Sequence, residues 1–144
     1  MQEALRRSGA HPTGFSQGDI YLVPNLLLRM ERDMHHHRAP AEKLRPIVVM
    51  DSDPRCRDTR ILTVLVIPLT TRTTDRAPTT HLLPSGTDGL DADSLALAHL
   101  IQPLDRDDLL REGTLIGRLT DEQCATLLAK VALAVGIVDL AEDQ

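Results

Sequence analysis

The chain has 144 residues, a formal net charge of −5, 42% hydrophobic and 26% charged residues; this is enough for one folded domain, too short for two ordinary ones, and unlike a disordered or collagen-like chain. Phe15 and Tyr21 are its aromatic residues, which argues against a single-strand binder that stacks bases on several aromatic platforms. The longest apolar runs, around residues 61–69 and 131–138, fall short of the roughly 20 residues that a membrane-spanning helix needs.

The first 17 residues are polar, with Gly9, Pro12 and Gly14, and read as a loose arm. A single domain is expected over residues 18–138, followed by an acidic tail over residues 139–144. Gly18 and Asp19 introduce Ile20, Tyr21, Leu22 and Val23, a β-rich run that Pro24 stops. Residues 24–44 lack strand alternation, carry prolines and many charges, and read as a long loop with room for one helical turn. Loops of this length inside a compact domain are usually functional or mobile. Residues 47–50 and 61–69 are β-branched runs and read as two buried strands; Pro68, unable to donate to a ladder, puts the second on an edge or bends it near its end. Ser52, Asp53 and Asp105 read as turn and cap residues.

A Thr- and Arg-rich stretch, residues 70–80, leads to a short strand at His81 to Leu83, a turn at Gly86 to Gly89, and a strand over SLALAHLI, Ser94 to Ile101. Residues 103–111 read as a helical turn and residues 114–119 as a last short strand. Thr120, Asp121, Glu122 and Gln123 match a capping box, with a hydroxyl at the cap and Gln three residues later. Cys124, Leu127, Leu128, Val131 and Val135 then recur at helical spacing, an apolar stripe for a core or a partner, and Gly136 is placed to end the helix. About six short strands and one C-terminal helix imply a mainly β fold, a small bent sheet closed into a barrel-like unit.

Charge is uneven along the chain. Residues 29–76 hold ten Lys or Arg against seven Asp or Glu, whereas residues 77–144 hold four against twelve. Such asymmetry fits a protein with one face toward a polyanion, and equally fits charge that follows solvated loops. Cys56 and Cys124 match neither a CxxC metal pair nor a disulfide framework. With no apolar stretch behind the N-terminal arginines to make a secretory signal, both cysteines read as thiols in a cytoplasmic protein. A Walker-type phosphate loop, a GxSxG elbow and an HExxH helix are all missing from the sequence.

GDIYLV, a loop ending in RPIVVM, a strand ending in IPLT, then DSLALAHLIQPLD, GRLTDEQ and a closing amphipathic helix form an ordered series that resembles the MazF/PemK family of toxin endoribonucleases over roughly residues 18–137. The resemblance implies an SH3-like small β-barrel acting as a homodimer. It implies a toxin of a type II toxin–antitoxin system that cleaves single-stranded RNA without a metal or other cofactor and is silenced by a cognate antitoxin. Such cleavage proceeds by attack of the 2′-OH on the adjacent phosphate, leaving a 2′,3′-cyclic phosphate and a 5′-OH, and needs a base, a proton donor and donors for the crowded phosphorane.

Arg45, in the RP motif, matches the family's catalytic arginine, whose planar fork clamps phosphate oxygens. Thr70, after IPL, matches a phosphate-binding threonine, and Thr71 and Arg72 follow it toward neighbouring phosphates. Taken without the family, Arg45 reads as a surface arginine at a strand start and Thr70 as a strand-end threonine in a turn. His99 and Leu100 stand where many members have an acid followed by Gln. His99 is therefore a candidate base, with an imidazole suited to neutral pH, or a satisfied core histidine, and the missing Gln bears on base recognition or on activity itself. His35, His36, His37 and Lys43 fall in the long first loop, near the family's RNA path. Three consecutive histidine side chains point different ways and cannot all reach one ion comfortably, so no metal site is expected there.

Two alternatives remain open at this level. CcdB-like toxins are similar in fold and poison DNA gyrase through an apolar C-terminal tail that includes Trp and Gly-Ile; this chain has Gly136 and Ile137 but no Trp. A family member without catalysis would serve as an RNA-binding or interaction module, which the His99–Leu100 pair allows.

Overall fold

The computed structural model describes residues 15–30 and 43–137. Most of the expected arm, the middle of the first loop with His35, His36 and His37, and the acidic tail lie outside the described residues. Among the described residues there are seven strands: β1 (Asp19–Pro24), β2 (Leu44–Val49), β3 (Thr63–Thr70), β4 (Thr80–Leu83), β5 (Ser94–Leu97), β6 (Gln102–Asp105) and β7 (Thr114–Arg118). The α-helices that accompany them are α1 (Asp53–Arg57), α2 (Arg106–Glu112) and α3 (Asp121–Ala134), with 3-10 turns at Asn25–Leu27 and Ala98–Leu100.

The strands run in the order β4-β5-β3-β2-β1-β7, with β6 also on β3, and each pairing is antiparallel. The sheet curls into a half-barrel with α3 at its C-terminal end, the expected mainly β fold with a C-terminal helix. Among the described residues no helix is long and apolar enough to cross a membrane.

Successive residues of the central strands point to opposite faces, and both faces are covered. Ile20, Val48 and Ile67 enter one core with Cys124 and Leu127 of α3, while Tyr21, Ile47, Val49 and Val66 enter a second with Phe15, Cys56 and Leu109. Burial on both faces is why β2 and β3 read as unbroken apolar runs instead of alternating ones. Phe15 and Ser16, within the stretch read as an arm, are buried, so the packed unit begins before Gly18. The apolar stripe of α3 divides: Cys124, Leu127 and Val131 pack on the core, whereas Leu128 and Val135 are exposed.

Both ends of α3 follow the sequence. Thr120 and Gln123 form the reciprocal capping box. At the other end Gly136 adopts φ +87°, and the N–H groups of Gly136 and Ile137 donate to the carbonyls of Leu133 and Ala132, the bond pair of a Schellman motif.

Three expectations are corrected. Pro68 does not mark an edge: β3 is central, paired to β6 over Thr63 to Val66 and to β5 at Leu69 and Thr70. Pro68 falls at the changeover between these two partners, where a residue without an N–H is tolerated. Gln102–Asp105 is a strand, and the helix of that region follows it, capped by the Asp105 carboxylate, which accepts from the N–H groups of Asp107 and Asp108. The strand over SLALAHLI ends at Leu97, so His99 sits in a 3-10 turn.

Both thiols are buried, and burial, with Asp51 and Asp53 nearby, pushes Cys56 up to about 12. At pH 8 the folded protein is expected to react slowly with a disulfide reagent such as DTNB and the unfolded chain to release two equivalents rapidly, because the thiolate is the nucleophile. Rapid reaction of Cys56 in the folded protein would contradict this burial. Because the thiolate is disfavoured in the folded state, stability is expected to fall as pH climbs from the ordinary thiol value of 9 toward 12, and to be unaffected by Cys56 below that range.

Candidate active site

β2 lies between β1 and β3, and this placement assembles the site. Val23 of β1 pairs with Arg45, and Ile47 of β2 pairs with Pro68 of β3. The ladder ends there, and beyond it Arg45 Nη1 donates to the carbonyl of Leu69, the residue before Thr70. Two residues 25 positions apart thus become neighbours at one end of the strand pair. A cleft of about 100 Å³ opens there, lined by Lys43, Leu44, Arg45, Pro46, Leu69, Thr70, Thr71 and Arg72. Its charged lining residues are all basic, and two hydroxyl groups lie beside them.

Arg45 is half-buried and held on two sides. Its Nε donates to the Asn25 side-chain oxygen at 2.6 Å and Nη1 donates to the Leu69 carbonyl at 2.8 Å, leaving the rest of its five-donor fork for a ligand. Burial lowers its pKa, yet an arginine remains cationic at any physiological pH. Thr70 is buried, and its Oγ1 accepts from the Arg72 N–H at 3.2 Å. Its own hydroxyl hydrogen is the group it can donate to an anion. Arg72 reaches Asp75 at 3.3 Å, a pairing that holds the start of the loop after β3.

Of the residues expected from the sequence, Lys43, Arg45, Thr70, Thr71 and Arg72 come together at this cleft. His99 is not among the lining residues. It is exposed on its 3-10 turn, with Nδ1 3.0 Å from the Thr79 hydroxyl, and that turn packs against α3. Close by, Lys130 of α3 donates to the Pro78 carbonyl at 3.0 Å.

Sequence reasoning missed Asn25, 1% exposed at the head of a 3-10 turn, and Gln102. The Gln102 amide accepts from the Arg29 N–H at 2.7 Å and donates to the Arg29 carbonyl at 2.9 Å. It thereby grips the backbone just before the first loop leaves the described residues. Neither carries a local signal beyond a polar side chain beside a proline, since the partner of each is far away in sequence. Among the described residues no group of three or more His, Cys, Asp or Glu is arranged to hold a metal ion.

Comparison with known proteins bears on the family and the fold. The model of the PemK-like, MazF-like toxin of type II toxin–antitoxin systems matches residues 16–135. A search of curated proteins found no match. Solved structures agree in fold: an endoribonuclease from a mycobacterial species in complex with its cognate antitoxin is 19% identical with a TM-score of 0.59, the match covering 86% of this chain and 97% of that one. The MazE–MazF complex of Deinococcus radiodurans is 15% identical with a TM-score of 0.61, covering 85% and 96%. Mycobacterium tuberculosis toxin MazF-mt6 is 24% identical with a TM-score of 0.54, covering 65% and 88%. With a family model matched across nearly all of its described length, and with the curled sheet and C-terminal helix of those structures, the chain belongs to the PemK-like, MazF-like toxin family of type II toxin–antitoxin systems.

Proposed function

We propose that this chain is a toxin endoribonuclease that cleaves single-stranded RNA without a metal ion, through 2′-OH attack on the adjacent phosphorus. The observation that carries the reading is the joint lining of one cleft by Arg45 and Thr70, with Lys43, Thr71 and Arg72 around them. Arg45 binds the phosphate oxygens and stabilises the charge that gathers on them as the phosphorane forms, while the Thr70 hydroxyl donates to the same group. Lys43, Thr71 and Arg72 hold flanking phosphates.

In the step itself the O2′–P bond forms and the P–O5′ bond breaks. The 2′-OH proton passes to a base and O5′ receives a proton as it leaves, giving a 2′,3′-cyclic phosphate and a 5′-OH. The base is assigned to His99 or to a group of the first loop, whose His35, His36 and His37 are read as RNA-binding. Further parts of the proposal are a homodimer, action in the cytoplasm, and silencing by a cognate antitoxin whose acidic or apolar segment occupies the basic cleft. Since the whole chain is acidic, RNA affinity would be local and strongly salt-dependent.

The test is incubation of the purified protein with a long single-stranded RNA in EDTA, beside His99→Ala, with chemical identification of the fragment ends. Cyclic phosphate and 5′-OH ends are expected, and a loss of rate in the His99→Ala lane would assign the base. If neither EDTA nor magnesium buffer yields fragments, the nuclease reading fails for the isolated protein, and a binding module or a gyrase poison takes its place.

A further inference from the structure

Asn25 is a polar residue whose burial is nearly complete, and burying an amide costs free energy unless its groups are bonded. Its backbone N–H donates to the Lys43 carbonyl at 2.7 Å and its carbonyl accepts from the Leu28 N–H at 3.1 Å, which ties the turn after β1 to the start of β2. Its side-chain oxygen receives Arg45 Nε at 2.6 Å, the shorter of Arg45's two bonds. The other acceptor, the Leu69 carbonyl, is also uncharged.

This differs from the treatment of other arginines in the chain. Arg55, Arg60, Arg72, Arg111 and Arg118 each meet an aspartate carboxylate within 4 Å. Arg106, with its four backbone carbonyl partners, sits in the core and outside the cleft. A carboxylate is the commonest strong partner for a planar guanidinium, and it would cancel most of the charge while holding the same geometry. An amide oxygen holds the geometry and leaves the charge in place.

We infer that Asn25 is a positioning residue for Arg45, whose neutral oxygen aims the guanidinium into the cleft while keeping its full positive charge for the phosphate. This rests on the reading of the Arg45 cleft as the phosphate site. The phosphodiester carries one negative charge before reaction and the phosphorane more, so a charge preserved in a partly desolvated cleft acts more strongly on the transition state than on bound RNA.

Asn25→Asp tests this with a side chain of nearly the same shape that keeps an oxygen acceptor for Nε and adds a charge. The variant is expected to melt like the parent, to lose about tenfold or more in kcat, and to change KM much less. A purely structural role predicts the opposite, because the introduced carboxylate retains or strengthens the bond: a kcat equal to the parent's overturns the inference, while cleavage by the parent and its loss in Arg45→Ala would leave the proposed function standing. If Asn25→Asp does not fold, Asn25→Ser decides, since it removes the reach to Nε without adding charge. A lowered kcat in folded Asn25→Ser supports positioning, and an unchanged kcat overturns it. Should the parent cleave no RNA, binding of an all-2′-O-methyl oligonucleotide is read instead. Weaker binding by Asn25→Asp, by a smaller factor than the roughly tenfold expected in kcat, upholds the inference without the nuclease, whereas equal binding, or none by the parent, overturns it.

Discussion

Arg45→Ala is expected to lower RNA cleavage by about a hundred- to a thousandfold in kcat, the scale seen when one preorganised donor to a developing oxyanion is removed. Arg45 is half-buried, and its side chain spends two donors on Asn25 and Leu69, so its loss takes one donor from each of these acceptors. The cost to folding should therefore be modest, about 1–3 kcal/mol for two neutral groups that each lose one hydrogen bond. The diagnostic pattern is a large fall in kcat with the melting curve shifted by a few degrees. Arg45→Lys should recover only part of the rate, because an ammonium keeps the charge and cannot bridge Asn25, Leu69 and a phosphate with one rigid plane. Single-turnover cleavage with excess protein, beside thermal melts of both variants, measures this. A variant that cleaves at the parent rate would remove Arg45 from the mechanism, and with it the chemical role of the cleft.

Arg106→Met is expected to be the most damaging change to stability, about 3–5 kcal/mol by chemical denaturation. Arg106 is 6% exposed, and its guanidinium donates to the carbonyls of Ile61 at 2.8 Å, Cys56 at 2.7 Å, Arg55 at 3.0 Å and Asp58 at 3.3 Å. Three of these carbonyls lie at the C-terminal end of the short helix α1, where few backbone donors remain in reach; those of Arg55 and Asp58 also accept from the N–H groups of Asp58 and Ile61. One side chain from the start of α2 thus closes the end of α1 and ties down the segment leading into β3. The guanidinium also stands 5.5 Å over the Phe15 ring, which meets Tyr21 edge to face. Methionine keeps the length and apolar stem but satisfies none of the carbonyls. Hydrogen exchange should show the loss first in residues 53–62. A cost under about 1 kcal/mol would mean that water replaces the guanidinium there, as at an ordinary surface arginine.

The two arginines show why some of this molecule is readable in its sequence and some is not. Arg45 is identifiable because it is embedded in a motif, RP at the head of an apolar strand, that belongs to an ordered series of elements. Arg106 stands in a charged stretch, PLDRDDLLR, whose pattern describes a solvated helical turn. Its burial follows from the carbonyls of a distant helix end, and local composition says nothing about those. Asn25 is hidden in the same way. His99 illustrates the reverse error: an apolar run with one histidine reads as a continued strand, but Ala98–Leu100 turns aside to pack on α3, leaving His99 exposed beside Thr79.

Elements with local causes were legible in the residues themselves. Apolar β-branched runs made β1, β2 and β3, the Thr120–Gln123 capping box began α3, and Gly136, free to take a positive φ, ended it. Whatever depends on pairing between distant segments was settled only when the whole chain packed. The changeover of β3 from β6 to β5 admits Pro68 into a central strand, and the packing of β2 beside β3 brings Arg45 and Thr70 to one cleft. The turn after β1 then places an uncharged oxygen on the guanidinium. Strand register and buried hydrogen bonds are set by which faces can be covered together and which polar groups must find partners, conditions that the whole chain satisfies at once and that no local stretch contains.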